Sequence, residues 1–494
     1  MNIHKMMNIQ ERGDWSNGRK RAKMTKNDRA HTLPFVEGFP MRGKQYELDM
    51  CNGSLASKIL VFAFPLMLSG MLQLLFNAAD VIVVGRFCGK ASLAAVGSNT
   101  SLINLFVNLF VGLSVGANVV VAQDLGAGRE KEANRAVHST ILLAMVSGVA
   151  LLVAGQLFGR QMLEWMDSPD SVIDLAALYL RVYFLGMPAT MVYNFGAAML
   201  RAKGDTQRPL YYLSFAGVVN VVLNVFFVVV CRWDVAGVAA ATSIAQYISA
   251  ALVLRCLAKE EGVLHLDLKA LRFDKKVFGR IVRVGLPAGL QGVIFSLSNV
   301  VIQSSINSFG DVVMAGSSAA SSIEGFVYTA MNAFYQAAIT FTGQNYGAGK
   351  CDRVDKVAVW CAVYSMLAGL VLGNLAYLFG PQLISIYSPG EPEVITAGMT
   401  RMMMICRPYL ICGVMETMVG VLRGLGHSIV PMICSLVGSC VLRLIWVATI
   451  FPLFNTPGML FISYPITWVI TTMAHIAVLL SVRKKSYRLV GYQI

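Results

Sequence analysis

The stretch LRAKGDTQRP, Leu200–Pro209, returns 222 residues later as LRGLGHSIVP, Leu422–Pro431. Leu, Arg, Gly and Pro hold the same four places in both copies. A second pair keeps step with the first: Gln123-x-x-Gly126-Ala127-Gly128-Arg129 returns as Gln344-x-x-Gly347-Ala348-Gly349-Lys350, offset by 221. Pro65 and Pro287, again 222 apart, make a third match. Independent matches at one offset mark a chain built from two like halves.

Hydropathy says what the halves are made of. The 494 residues are 56% hydrophobic with a mean hydropathy of +0.61, whereas soluble domains are about 45–50% apolar. A bilayer-spanning helix needs about 20 apolar residues. Twelve such runs occur, near 58–84, 93–122, 137–159, 172–199, 209–231, 236–257, 281–307, 312–342, 357–380, 396–421, 430–452 and 458–482. They are too long for barrel strands and show no period-two alternation. The fold class is therefore an all-α polytopic membrane protein, twelve transmembrane helices in two six-helix lobes. Six is even, so both lobes keep one orientation and a pseudo-twofold axis runs along the membrane normal.

The chain divides accordingly. Residues 1–50 form a polar, basic stretch without the apolar core of a signal peptide, expected to be a disordered cytoplasmic tail. Met50, just before the first run, is an alternative start. Residues 51–257 are the N-terminal lobe, 258–276 an amphipathic cytoplasmic linker, 277–485 the C-terminal lobe and 486–494 a cytoplasmic C-terminus. The net charge of +14 would suggest nucleic acid in a soluble protein. Here 33 of the 41 Lys and Arg residues fall on the side of the N-terminus, and only Arg86, Lys90, Arg160 and Arg232 in the opposite loops. That asymmetry follows the positive-inside rule, places both termini in the cytoplasm and needs no nucleic-acid partner.

Ten scattered cysteines lack any CxxC pair, so they read as small core residues. The six histidines are dispersed, with no HExxH, GxSxG or phosphate-cradling loop; the chain is not read as an enzyme and no cofactor or metal is expected. His427, in a loop, is expected to be solvated. Locally, the Gln-x-x-Gly-Ala-Gly segments read as helix C-caps followed by a basic residue.

The segments FPLMLSGMLQLLFNAADVIVVGR (64–86), QDLGAGRE (123–130), LRAKGDTQRP with its echo LRGLGHSIVP, and the block 308–350 that ends in GQNYGAGK resemble those of the multidrug and toxic compound extrusion (MATE) family. The resemblance covers residues 51–485. It implies a bacterial cytoplasmic-membrane transporter that exports organic, often cationic, small molecules against an inward H⁺ or Na⁺ gradient. A monomer is expected.

Among 27 acidic residues, only Asp80, Glu324 and Glu416 fall well inside the runs. An intramembrane carboxylate is costly unless paired, protonated or wetted, so each is a functional candidate. Asp80 lies 22 residues beyond Lys58, roughly 33 Å along a helix, in the outer half of the first run. In the resembled family an aspartate on helix 1 is a cation or proton site, and Asp80 in NAADVIVVG matches it. Asn220 and Asn224 share one face of the fifth run, and Asn77 shares the face of Asp80. Asn carbonyls can ligate a hard cation such as a transient Na⁺, or the amides can hold the carboxylate while a proton does the coupling. Related family members often carry an aspartate where Asn224 stands, which leaves a two-carboxylate Na⁺ site in doubt. Asparagines also commonly join membrane helices without further role.

In the second half, position 302, equivalent to Asp80, is Ile, and the seventh run carries no acid. Glu324, Glu416 and Arg443 are secondary candidates, either a structural ion pair formed by Arg443 with one of the acids or a further cation site. Coupling through the N-terminal lobe is favoured. The alternative function is a flippase for lipid-linked saccharide precursors, which would want free arginines in the cavity; Arg181, Arg401, Arg407 and Arg443 are the candidates, although Arg181 and Arg401 fall where they could snorkel. Phe, Tyr and Met are expected to line the substrate cavity.

Overall fold

The computed structural model describes residues 46–166 and 169–491. The tail expected over residues 1–50 lies outside the described residues as far as position 45, as does the end of the C-terminal segment beyond 491.

In hydrocarbon every backbone N–H and C=O must be satisfied within its own segment, and helices do this. Span 1 is Leu55–Phe87, span 2 Lys90–Gly126 and span 3 Glu130–Trp165. Span 4 is broken into Asp170–Leu185 and Met187–Lys203, bent by 47° at Gly186-Met187-Pro188. Span 5 is Gln207–Val225, continued by the π-helical turn Phe226–Val230, and span 6 is Asp234–Lys259. The second lobe repeats the plan. Span 7 is Lys275–Asn307, span 8 Asp311–Gly347 and span 9 Cys351–Leu378. Span 10 is again broken, into Pro392–Ile405 and Tyr409–Gly424, by 48°. Span 11 runs from Ile429 through the π-helical turn Leu436–Val441 to Thr449, and span 12 ends as Ser463–Leu489.

Eleven of these pass as membrane-crossing by length and apolarity when each bent pair counts once. Span 8 is long enough but more polar, because it carries Glu324, Gln336, Gln344, Asn345 and many Ser and Thr; most of its length is buried among neighbouring helices rather than facing lipid. The breaks in spans 4 and 10 fall at equivalent places, as a duplication requires. Pro65 and Pro287 are both buried inside unbroken helices.

Spans 2 and 7 carry a long close approach between the lobes. A Cβ at Gly112 would stand 2.1 Å from the Gly289 nitrogen, and one at Gly116 would stand 2.3 Å from the Ile281 carbonyl oxygen and 2.7 Å from the Gly285 nitrogen. Two small-xxx-small faces thus meet backbone to backbone, which is how membrane helices pack tightly without a hydrophobic driving force. Spans 1 and 8 meet through Gly70 against Thr329 and through Phe62 edge-on to Phe341, ring centres 5.5 Å apart.

The face that carries both described ends is the basic one. There Lys203 bridges Glu47 and Glu260 at 2.5 and 2.7 Å, Arg208 reaches Glu260 at 2.7 Å and also binds Asp205, whose Oδ1 accepts the Gln207 and Arg208 amides at 3.0 Å each. Burial pushes the Glu260 carboxyl up, but the hydrogen bonds from Arg208 and Lys203 outweigh it and hold the group below its ordinary value. The linker is irregular apart from one 3₁₀ turn, Leu268–Ala270, and is tied to span 3: Asn134 donates to the Val263 and His265 carbonyls, and His138 Nε2 accepts the Asp267 amide.

Candidate functional site

Asp80 sits about two turns before the Phe87 end of span 1, where spans 1, 5 and 6 meet. Phe76, one turn earlier, presses its ring onto Gly217 of span 5, where a Cβ would have no room, so the two helices close to near contact. That approach brings span 5 to the carboxylate. Asn224 Nδ2 donates to Asp80 Oδ1 in a short hydrogen bond, and Thr242 Oγ1 of span 6 lies 3.3 Å from Oδ2. Turned so that each end faces a complementary partner, the Asn220 amide donates to Asp80 Oδ1 at 3.0 Å and accepts from Thr242 Oγ1 at 3.2 Å. Asn220 and Asn224, one turn apart, thus present donors to one carboxylate oxygen. The π-helical turn begins two residues after Asn224, and such turns cluster at functional positions in helices.

The shell is neutral: two carboxamides and a hydroxyl, with no Lys or Arg paired to Asp80 among the described residues. The Asn224 Oδ1 atom is buried and without a hydrogen-bond partner. A carboxylate, an orphaned carboxamide oxygen and a hydroxyl lie within one cluster, so the donor set fits either a proton shared on the carboxylate or a hard monovalent cation held by oxygens.

Asp80, Asn220 and Asn224 are therefore brought together. Asn77 is not: its side chain is exposed, and Thr242 fills the shell instead. The spacing of 77 and 80 gives a shared helical face but not which neighbour that face meets. Thr242 had no sequence signal, since a threonine in ATSIAQY is indistinguishable from one bonding its own helix, as it also does to Val238.

In the second lobe the arrangement differs from the expected ion pair. Arg443 pairs with neither acid. Its guanidinium lies 3.8 Å from the centre of the Tyr464 ring and donates to Thr467 Oγ1 at 3.1 Å, both on span 12, so span 11 points it away from Glu324 and Glu416. Glu324 is instead held by Arg401, Nε to Oε1 at 2.9 Å and NH2 to Oε2 at 2.8 Å, with NH1 on Ser317 at 2.9 Å. Arg401 does not snorkel; it is 7% exposed. Gly316 against the Gly398 nitrogen, 2.7 Å from a built Cβ, lets spans 8 and 10 approach closely enough for this bidentate pair. Glu416 is buried near Arg423, which itself donates to Tyr335 and, at 2.9 Å, to Gln291. Ile302 is 1% exposed and packs in an apolar cluster. Nothing at that position repeats the chemistry of Asp80.

Arg181 and Arg407 are exposed, Arg407 beside the Tyr377 ring. Of the four arginines a saccharide flippase would need, two thus face outward and two are engaged. His427 is half-buried and within 2.9 Å of Ser486 Oγ rather than solvated. A cavity of about 560 Å³ opens between the outer parts of spans 7 and 8, lined by Gln303, Met314, Ala315, Ser318, Ser321 and Ser322. A smaller one of about 320 Å³, where Met71 of span 1 faces span 8, is apolar and includes Phe326 and Tyr387. Three serine hydroxyls and Met314 line the larger cavity, whereas Met71, Phe326 and Tyr387 line the smaller.

Two pseudo-symmetric six-helix lobes, with the half-buried Asp80 carboxylate inside an apolar span of one of them, define a polytopic membrane transporter. The MatE family model matches residues 65–226 and 287–449, once in each lobe. The chain belongs to that family, the multidrug and toxic compound extrusion transporters, whose members move solutes and are not enzymes. It is similar to the probable multidrug resistance protein YpnP of Bacillus subtilis, 27% identical over 395 residues, with 80% of this chain and 88% of that one covered. It is similar also to the probable multidrug resistance protein NorM of Thermotoga maritima, 24% identical over 392 residues, covering 78% and 84%. Among solved structures, a MATE crystallised in complex with MaL6 superposes with a TM-score of 0.81 at 21% identity, over 90% of this chain and 98% of that one. The twelve-helix, two-lobed fold is thereby established, as is membership of a multi-pass membrane transporter family.

Proposed function

We propose that the protein is a monomeric secondary antiporter of the bacterial cytoplasmic membrane, both termini in the cytoplasm, exporting organic and often cationic compounds in exchange for H⁺ or Na⁺. The two lobes, related by the pseudo-twofold axis, rock against each other about a direction in the membrane plane, so that the space between them opens to one side and then the other. The observation that carries this reading is the neutral shell of Asp80. A carboxylate at that depth without a fixed countercharge is stable only when it carries a proton or a cation. Losing that cation makes the site anionic and receptive to a cationic drug, and regaining it drives the drug off. The saccharide-flippase reading finds no support in the engaged or outward-facing arginines.

The test is transport of ethidium or a fluoroquinolone in proteoliposomes under a pH gradient alone and a Na⁺ gradient alone. One of the two is expected to drive uphill movement. Asn224→Asp, which supplies a second carboxylate beside Asp80, is expected to shift the preference toward Na⁺. Uphill transport that survives collapse of both gradients would defeat the antiport reading.

A further inference from the structure

The Gln-x-x-Gly-Ala-Gly turns do more than end two helices. Gln123, at the end of span 2, donates from Nε2 to the Gly424 carbonyl at the end of span 10, at 2.9 Å. Gln344, at the end of span 8, donates from Nε2 to the Ala202 carbonyl near the end of span 4, at 2.6 Å. Gly424 and Ala202 are 222 residues apart, equivalent positions in the LRxxG motifs. Each glutamine therefore caps a helix C-terminus of the opposite lobe, where carbonyls lack intrahelical partners.

The following residue crosses the interface too. Asp124, fully buried, accepts from Arg129 at 2.7 Å and from both terminal nitrogens of Arg280 at 2.8 and 3.0 Å, at the start of span 7. Its counterpart Asn345, also fully buried, donates to the Met50 carbonyl at 3.1 Å, just before span 1. Arg353 and Lys350 hold the same entry segment, donating to the carbonyls of Gly53 and Cys51 at 3.0 Å each.

The glycines divide their labour. Gly128 and Gly349, at φ +66° and +68°, make the left-handed turn. Gly126 and Gly347 are helical and need no such freedom. A Cβ at Gly126 would stand 1.9 Å from the Gln344 carbonyl oxygen, and one at Gly347 would stand 2.1 Å from that of Gln123. Those two glycines are required by the approach of the lobes, not by the cap.

We propose that the paired motifs form the gate on the cytoplasmic side of the transport cycle, with Gln123, Asp124, Gln344 and Asn345 as positioning residues that hold the side shut while the opposite side is open. The proposal rests on the alternating-access reading above. Apart from the Arg129–Asp124 pair, every bond named joins one lobe or its entry segment to the other and is lost when they part, and water on the basic face can replace the glutamine caps, which makes the latch reversible. Two neutral hydrogen bonds together shift such an equilibrium about tenfold.

The experiment is a pair of spin labels on non-natural ketone side chains at exposed positions 131 and 356, in the first two turns of spans 3 and 9 of the full chain. The wild type is expected to show mainly the short inter-label distance. Gln123→Ala with Gln344→Ala is expected to move about tenfold of the population ratio toward a longer one. Gly347→Ala, which adds one methyl and raises helix propensity, is expected to do the same, so failure to fold cannot account for it. Unchanged distances in either variant would overturn the gate. The readout involves no ion gradient, so a failure of Asp80 coupling leaves it intact and the two proposals fall separately.

Discussion

Asp80→Asn is expected to abolish gradient-driven efflux in proteoliposomes, to the level of protein-free vesicles, while the variant purifies and unfolds on heating like the wild type. The asparagine is nearly isosteric and still meets the Asn224 amide and the Thr242 hydroxyl. It cannot carry a negative charge, so it can neither bind nor release the coupling cation. Replacing a buried carboxylate that has no fixed countercharge by a neutral amide removes a desolvation cost and does not create one. The variant is therefore at least as stable as the parent. Loss of transport with retained stability separates a coupling role from a merely structural hydrogen bond. Retained uphill export in Asp80→Asn would mean that the energy enters elsewhere, and Glu416 would become the next carboxylate to examine.

The second large effect concerns the other lobe and runs the opposite way, through stability. Arg401→Ala strands the Glu324 carboxylate, which is 5% exposed and loses both of its charge-assisted hydrogen bonds. Breaking one side of a buried ion pair costs about 3–5 kcal/mol, visible as a large drop in thermal midpoint and in the fraction recovered as a monodisperse peak. Replacing both partners together, Arg401→Met with Glu324→Leu, restores most of that loss, because a packed apolar pair avoids the desolvation of two charges. If Glu324 is structural, the double variant transports; if it couples, the double variant is stable and dead. The bidentate geometry favours the first outcome, since a fixed guanidinium already supplies the cation that a coupling site would have to exchange.

Much of the architecture was legible in the sequence because lipid leaves few choices. Long apolar runs must be helices, and the Leu-Arg-x-x-Gly and Gln-x-x-Gly-Ala-Gly repeats at one offset mark the duplication. Asp80, Asn220 and Asn224 were legible too, as polar residues at helical spacing in otherwise apolar spans. What sequence could not give was which neighbour each face meets. Arg443 and Arg401 are both arginines inside spans, and only the packing of span 10 on span 8, through Gly316 and Gly398, decides that Arg401 takes Glu324. Thr242 and the exposure of Asn77 depend in the same way on the rotation of spans 6 and 1. The motif glycines carried a second meaning hidden behind the first: Gly128 and Gly349 announce a turn, whereas Gly126 and Gly347 announce a contact more than two hundred residues away.

The account stands most directly on whether substrate and coupling cation exchange at position 80. Purified protein in weakly buffered detergent solution, loaded with the cation and then mixed with ethidium, can be followed with a pH indicator and with radioactive sodium. Release of one cation per bound substrate from the wild type, and none from Asp80→Asn, is the predicted result. Substrate binding that displaces no cation from the wild type, or displaces it equally from both proteins, would contradict the mechanism.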